Sequence, residues 1–202
     1  ICCLMFLNCS KEEKLSFPGS GGSSGEITDI KNYGGSKNDV ANAVVKTRDG
    51  GAVVLGYTQS INGDITDKTN ENFDFWVLKL DAENNIQWSK TFGGTNDDRG
   101  NDIIQTNDGG YAVLGYSTSS DQDVPENAGS QDFWVIKLNA NGSISWSKTF
   151  GYTGADFGTT LLQTADNSYL ITGVLDVTAS AGQGNSQRHA GGDIWAIKLS
   201  EN

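Results

Sequence analysis

The chain has 202 residues, a net charge of −11 and a sequence pI of about 4.4. This acidity argues against a nucleic-acid partner, because a phosphate backbone would be repelled. The only cysteines are Cys2, Cys3 and Cys9, so the rest of the chain can form neither a disulfide nor a thiolate metal site. The 26 glycines, with only 2 prolines, fit many tight turns between short strands.

The first nine residues predict export from the cytoplasm and attachment to a membrane. Residues 1–7 form an apolar run that is too short to span a bilayer and is typical of the end of a signal peptide. Residues 6–9 then resemble a bacterial lipobox, although Phe6 and Asn8 replace the usual leucine and small residue. The resemblance implies that Cys9 is acylated, with palmitate-type chains that anchor the protein to a membrane. The alternatives are an ordinary cleaved signal peptide, or a buried apolar strand in which Cys9 is incidental.

The residues after Cys9 predict a tether. Residues 10–13 resemble the lysine-plus-acidic signal that sends lipoproteins of the Bacteroidetes to the cell surface. This resemblance implies an outer-membrane protein that is exposed on the cell surface. Residues 16–25 are rich in serine and glycine, which is the composition of a flexible linker. We therefore expect residues 10–25 to connect the membrane to a folded domain over residues 26–202.

The folded region repeats one motif three times. An apolar run with a tryptophan and a lysine occurs at residues 75–80, 133–138 and 194–199, with the tryptophans 58 and then 61 residues apart. A period of this size predicts one supersecondary unit stacked on copies of itself. The repeats run over about 34–92, 93–150 and 151–202.

Each repeat divides into four short strands separated by turn signals. A glycine recurs in the second strand, at Gly56, Gly115 and Gly173, where we expect a neighbouring backbone or ring to approach closely. The strands are often apolar at successive positions, which favours sheets buried on both faces. Four such antiparallel strands per repeat are typical of a propeller blade. The predicted strands are 40–47, 52–58, 75–80 and 86–92, then 101–106, 111–117, 133–138 and 144–150, then 159–164, 169–174 and 194–199.

We therefore predict an all-β, β-propeller-like fold of three four-stranded antiparallel blades. The third repeat ends after its third strand, and residues 26–35 align with residues 85–94 as an isolated fourth strand, with Asp29 in place of Trp88. We expect this N-terminal strand to complete the last blade. Propellers typically have roughly four to eight blades. Closure of three blades alone is therefore less favoured than a homodimer that completes a six-bladed ring, or a shortened array.

The repeat pattern resembles a known group of repeats. It reads Gly-Gly-x-x-x-Asp from Gly34 to Asp39, followed by the aspartate-glycine-glycine turn and the Phe-Trp strand. This pattern is similar to the propeller-type repeats of secreted and surface proteins in Bacteroidetes, over residues 26–202. The resemblance implies the fold and an extracellular setting, and it implies no particular activity.

Three aspartates occupy equivalent places just before the first strand of each repeat: Asp39, Asp98 and Asp156. In a ring of blades they would form a circle of carboxylates near one mouth of the central channel. Such a circle suits Ca²⁺, which takes oxygen ligands. The alternative is that each aspartate hydrogen-bonds its own turn. Ca²⁺ is the only cofactor that the pattern suggests, and we expect none to be required.

The loops between the second and third strands carry the most varied sequence. They cover residues 59–72, 118–131 and 176–192. Long loops on a rigid scaffold commonly carry binding sites, and the alternative is that these are ordinary solvated loops. The candidate binding residues are Asp64, Asp67, Asp121, Asp123 and Glu126.

The five tryptophans lie inside apolar strands at repeat-equivalent positions. This placement predicts packing between blades rather than a platform for stacking sugars. They are Trp76, Trp88, Trp134, Trp146 and Trp195.

The sequence carries few residues suited to catalysis. It has one histidine, His189, and no nucleophile elbow, metal-ligand spacing or phosphate loop. We therefore expect no catalytic residues, and we predict a lipid-anchored cell-surface propeller that binds an unidentified protein or glycan, or serves as an interaction scaffold. The alternative is a carboxylate-dependent glycan-processing enzyme or a fragment of one, because such carboxylate pairs meet only in space. The third hypothesis is a degenerate repeat protein without a function of its own.

Overall fold

The computed structural model describes residues 28–175 and 193–201. These residues form strands and connecting turns without a helix, so no helix among them could cross a membrane. All the strands belong to the unit Asn32–Asn202, and residues 28–31, the described part of the other unit, contain no strand. The predictions for Cys9, the signal peptide, the linker at 10–25, the loop at 176–192 and His189 fall outside the described residues.

The eleven strands within residues 28–175 and 193–201 form three antiparallel sheets in chain order, as the repeat predicts. Sheet 1 contains β1 (Asp39–Lys46), β2 (Ala52–Thr58), β3 (Asp74–Leu80) and β4 (Ile86–Phe92). Sheet 2 contains β5 (Asp98–Gln105), β6 (Tyr111–Ser117), β7 (Asp132–Leu138) and β8 (Ile144–Phe150). Sheet 3 contains β9 (Phe157–Gln163), β10 (Tyr169–Leu175) and β11 (Asp193–Leu199).

Tight hairpins join the first two strands of each sheet. Gly50 and Gly109 have φ values of 91° and 88°, a region that glycine enters without steric cost. Asn167 takes the corresponding place in sheet 3 with a φ of 62°, which asparagine tolerates better than most residues. The aspartate-glycine-glycine signal thus correctly predicts these turns.

Two hydrophobic cores lie between neighbouring sheets. In the first, the ring of Phe75 from β3 packs on Trp134 from β7, with 4.5 Å between ring centroids. In the second, Phe133 from β7 packs with Tyr169 from β10. A Cβ on Gly115 would lie 2.7 Å from Cζ of Phe75 and 2.1 Å from the carbonyl oxygen of Arg99. The predicted close approach at the recurrent glycines is confirmed, because no side chain fits there.

The first strands of the three sheets are joined by bulge residues. Asn42, in the irregular part of the β1–β2 pairing, donates its side-chain N–H to the carbonyl oxygen of Gly100 at 2.8 Å. Asn101, in the same position of β5, donates to the carbonyl oxygen of Gly158 at 2.7 Å. These bonds connect β1 to β5 and β5 to β9. They therefore fix the order of the three sheets on the side formed by their first strands.

The described sheets do not close into a ring. The strand β1 contacts β5 and β5 contacts β9, but no comparable packing joins β1 to β9. The expected N-terminal fourth strand is also absent from the described part of its segment, because residues 28–38 contain no strand. Sheet 3 therefore ends at β11 among the described strands. Sequence offers a reason, since Asp29 and Ile30 replace the Trp88–Ser89 pair of a regular fourth strand.

Candidate functional site

The aspartate at the start of β5 is a fully buried hydrogen-bond acceptor. Asp98 accepts the backbone N–H of Gly94 at 2.8 Å and the hydroxyl of Ser119 at 2.9 Å, and it also accepts the hydroxyl of Ser117. Burial raises the pKa of Asp98, and these donors act in the opposite direction. Its carboxylate therefore organises the turn between β4 and β5.

The equivalent aspartates of sheets 1 and 3 do the same in their own turns. Asp39 accepts the N–H of Gly35 at 2.8 Å and hydroxyls from Thr58 and Ser60. Asp156 accepts the N–H of Tyr152 at 2.6 Å. Each of the three predicted calcium ligands thus lies within hydrogen-bonding distance of its own turn. No group of three or more His, Cys, Asp or Glu side chains in the described ranges could hold a metal ion.

Two of the candidate loop aspartates each accept a hydrogen bond from the first glycine of the pair that precedes the first strand of a sheet. Asp64 accepts the N–H of Gly34 at 2.9 Å, and Asp123 accepts the N–H of Gly93 at 3.2 Å. A third, Asp121, accepts the N–H and the hydroxyl of Thr95, each at 2.9 Å. These carboxylates are used to attach the loops to the neighbouring chain, as Asx side chains commonly do.

The remaining two loop candidates differ from each other. Asp67 accepts the N–H of Thr91 at 3.2 Å and its hydroxyl at 2.9 Å, so it joins its loop to β4. Glu126, at the equivalent place of the next loop, lines a cavity instead. Of the five loop candidates, Glu126 therefore has the placement best suited to meeting a ligand.

A buried ion pair near β3 was not anticipated from the sequence. Lys68 Nζ lies 2.7 Å from Oδ2 of Asp74, and both side chains are almost completely buried. Burial raises the pKa of Asp74 to about 7, although the lysine ammonium lowers it. An aspartate begins the tryptophan-containing strand in every repeat, which is a signal that could have been used. Lys68 has no counterpart in the other repeats, so its role could not be read from the pattern.

The equivalent aspartate of sheet 2 has no lysine. Asp132 accepts the backbone N–H of Ala128 at 2.7 Å, while its other oxygen, Oδ1, is buried without a hydrogen bond. Burial raises the pKa of Asp132, and the charges of Asp156 and Glu126 add to this rise. A cavity of about 510 Å³ adjoins this carboxyl, between sheets 2 and 3. Its other walls include Glu126, Phe150 and Trp195.

A second, polar cavity of about 430 Å³ lies at the junction of sheets 1 and 2. The guanidinium of Arg99 stacks there on the ring of Phe73, 4.3 Å from its centroid, and pairs with Asp97 at 3.2 Å. The Nε atom of Arg99 is buried without a hydrogen bond. The lining residues are Asn72, Asn96, Asp97, Arg99, Tyr116, Thr118 and Gln131.

Four of the five tryptophans lie between neighbouring sheets as predicted, whereas Trp76 packs with Leu78 and Tyr33 in a separate cluster of sheet 1. Trp134 is fully buried and Trp76 nearly so, while Trp88, Trp146 and Trp195 are partly buried and pack against the cores. The rings of Trp88 and Trp146 meet Tyr111 and Tyr169 of the following sheets edge to face. This placement leaves little ring surface for stacking on a sugar.

A scan against protein-family models finds no match, and no curated protein matches the sequence.

Proposed function

We propose that this protein is a lipid-anchored, cell-surface binding protein of the β-propeller type, held to the outer membrane through Cys9. The polar cavity at Arg99 is the observation that carries the binding function, because it gathers side chains from the loops at 59–72 and 118–131 on a rigid sheet junction. The acylated cysteine and the surface address come from the resemblance of the N-terminus to lipoprotein signals. The propeller arrangement comes from the repeat.

The lining of the Arg99 cavity favours a polar, uncharged ligand such as a glycan segment. Asn72, Asn96 and Gln131 carry amide groups, which both donate and accept hydrogen bonds. Arg99 adds donors beside them, and Tyr116 adds an aromatic ring. The net charge of −11 disfavours a polyanionic ligand. The alternative ligand for this cavity is a protein partner that presents polar groups to it.

A glycan array with the full chain, followed by titration of each hit, tests this proposal. Replacing Gln131 and Asn96 together with alanine should weaken binding about tenfold, since each lost hydrogen bond contributes about 0.5–1.5 kcal/mol. Gln87, exposed on β4 outside the cavity, provides the control, and Gln87→Ala should bind normally. Equal binding by the double variant, or an array without hits, would argue against a glycan at this cavity.

The predicted homodimer is tested separately by light scattering, with and without Ca²⁺. A dimer would support two three-sheet units closing a six-bladed ring, which satisfies the usual blade number. A monomer at all concentrations would argue against the ring and leave the loop cavity unaffected. A change of mass or stability on addition of Ca²⁺ would support the predicted calcium site, and its absence would count against it.

A second candidate, glycan processing by paired carboxylates, has its own supporting observation. Asp132 and Glu126 both line the cavity between sheets 2 and 3, where burial raises the pKa of Asp132 and so favours a protonated acid. Hydrolysis of a polysaccharide that survives Asp39→Asn, Asp98→Asn and Asp156→Asn but is lost in Asp132→Asn and Glu126→Gln would establish it. The absence of turnover on a broad substrate panel would exclude it in favour of binding.

A further inference from the structure

The strand β11 is an edge strand, whereas its two counterparts lie between paired neighbours. β3 and β7 pair with strands on both sides, and β11 pairs only with β10 among the described strands. Such an edge presents unpaired backbone N–H and C=O groups that can template another strand.

The indole N–H of Trp195 has no hydrogen-bond acceptor, unlike those of Trp76 and Trp134. Trp76 Nε1 donates to the Ser89 hydroxyl on β4 at 2.9 Å, and Trp134 Nε1 donates to the Ser147 hydroxyl on β8 at 2.8 Å. Trp195 Nε1 is buried without a hydrogen bond and lines the 510 Å³ cavity. A buried donor without a partner is costly. A hydroxyl on a fourth strand beside β11 would satisfy the indole N–H of Trp195.

The aligned N-terminal segment, residues 26–35, carries no hydroxyl at the position of Ser89. In the repeat alignment, Ile30 stands where Ser89 stands on β4, and Asp29 stands where Trp88 stands. The described part of this segment, residues 28–35, is also not a strand. An isoleucine placed against Trp195 would leave the indole N–H without an acceptor.

We propose that the open edge of β11 binds an extended segment of another polypeptide, one that carries a serine in the register of Ser147 on β8. In sheet 2, Ser147 lies opposite Ile136 of β7, so the incoming serine lies opposite Ile197. Backbone hydrogen bonds along the edge supply the affinity, and the serine–indole bond selects the register. Within this chain, β4 and β8 already occupy the equivalent edges of β3 and β7 in sheets 1 and 2. The edge is separate from the Arg99 cavity, so either proposal can fail alone.

The test uses the full chain and a synthetic peptide with the β8 sequence, residues 143–151, measured by calorimetric titration. We expect the peptide to bind, and a Ser147→Ala peptide to bind about fivefold more weakly, as the loss of one hydrogen bond predicts. With a Trp195→Phe chain the two peptides should bind equally, because the donor is gone. A Trp76→Phe chain, altered at a tryptophan already paired with Ser89, should keep the fivefold preference.

Hydrogen exchange of the bound complex locates the peptide. Bound peptide should slow exchange in β11 and leave β3 and β7 unchanged. The Ser147→Ala peptide leaves the protein itself unaltered, so the comparison holds even if Trp195→Phe folds poorly. No binding by the folded chain, equal binding of the two peptides to it, or protection elsewhere than β11 would overturn the proposal.

Discussion

The junction between sheets 1 and 2 and the junction between sheets 2 and 3 have the same layout, but their polar groups are satisfied differently. In the first, Asp74 is paired with Lys68 and Asp98 accepts two serine hydroxyls. In the second, Asp132 has no lysine, and Leu175 replaces the serine at the position of Ser117. The glycines, aspartates and large apolar residues that define the repeat are kept in both junctions.

This difference shows which parts of the repeat are structural. The backbone turns need their aspartates and glycines, so those residues recur even where their polar partners are lost. Each junction keeps two buried polar atoms without a hydrogen bond, Asp74 Oδ1 and Arg99 Nε in the first and Asp132 Oδ1 and Trp195 Nε1 in the second, and the cavity of the second junction is the larger of the two described. Unpaired buried polar atoms are expensive to keep, and they point to the places where a ligand or a strand would be most stabilising.

Removing the lysine of the first junction should have the largest effect. Lys68→Met leaves the Asp74 carboxylate buried without its cation, which typically costs about 3–5 kcal/mol. We expect this loss in the free energy of unfolding at pH 8, measured by urea denaturation. At pH 5, where Asp74 holds a proton, the loss should be smaller.

A matched control and a rescue accompany this variant. Lys37 forms an exposed pair with Glu71, and Lys37→Met should change stability by less than about 0.5 kcal/mol. Adding Asp74→Asn to Lys68→Met should recover much of the loss. An unchanged stability of Lys68→Met at pH 8 would mean that the first junction does not depend on this pair.

The pH dependence of stability should be unusual and should come from the buried aspartates. Burial raises the pKa of Asp74 to about 7, so the native state keeps a proton that the unfolded chain has released above about pH 4. Its contribution is complete below pH 4 and is lost as the pH rises to 7. At about 1.4 kcal/mol per pKa unit, we expect a loss of about 2–4 kcal/mol.

Denaturation of the wild type and of Asp74→Asn across this pH range measures the effect. The variant should show a flatter profile, because an amide does not titrate. Asp98, Asp123 and Asp132, whose pKa values burial also raises, should keep a residual slope of the same sign. A wild-type stability that increases steadily from pH 4 to 7 would refute this assignment.

The smallest expected effect concerns the serine that pairs with a tryptophan. Ser89→Ala removes the acceptor of Trp76 Nε1 and should cost about 1 kcal/mol. It would make sheet 1 resemble sheet 3, whose Trp195 already lacks an acceptor. Thermal denaturation of Ser89→Ala beside Gln87→Ala, an exposed change on the same strand, measures it. Equal stability of the two variants would show that the indole bond contributes nothing.

The strands were predictable because each repeat gives the same signals again. The predicted second strands, 52–58, 111–117 and 169–174, match β2 and β6 and end one residue before the last residue of β10. Apolar runs bounded by turn residues mark strands reliably when three copies agree. The fourth strand of the last repeat was expected within residues 26–35, but the described part, residues 28–35, forms no strand. The glycine and tyrosine matches outweighed the missing Trp–Ser pair in that prediction.

The site could be predicted only in part. The aspartates were found, and their distances to Gly35, Gly94 and Tyr152 favour the alternative in which each carboxylate accepts a hydrogen bond from its own turn. The Lys68–Asp74 pair needs a lysine that occurs in one repeat only, and the Arg99 cavity combines residues from different repeats and loops. Such combinations have no period, so the repeat pattern contains no signal for them. The open edge of β11 likewise became visible only when its pairing was compared with that of β3 and β7.

Hydrogen exchange of the full chain without added peptide is the most direct test of the difference between the sheets. We expect slow exchange throughout β3 and β7, which pair on both sides. In β11, the amides that face the open edge should exchange orders of magnitude faster, because an unpaired edge amide remains accessible to solvent. Equally slow exchange across β11 would contradict this expectation, since the edge would then already be occupied.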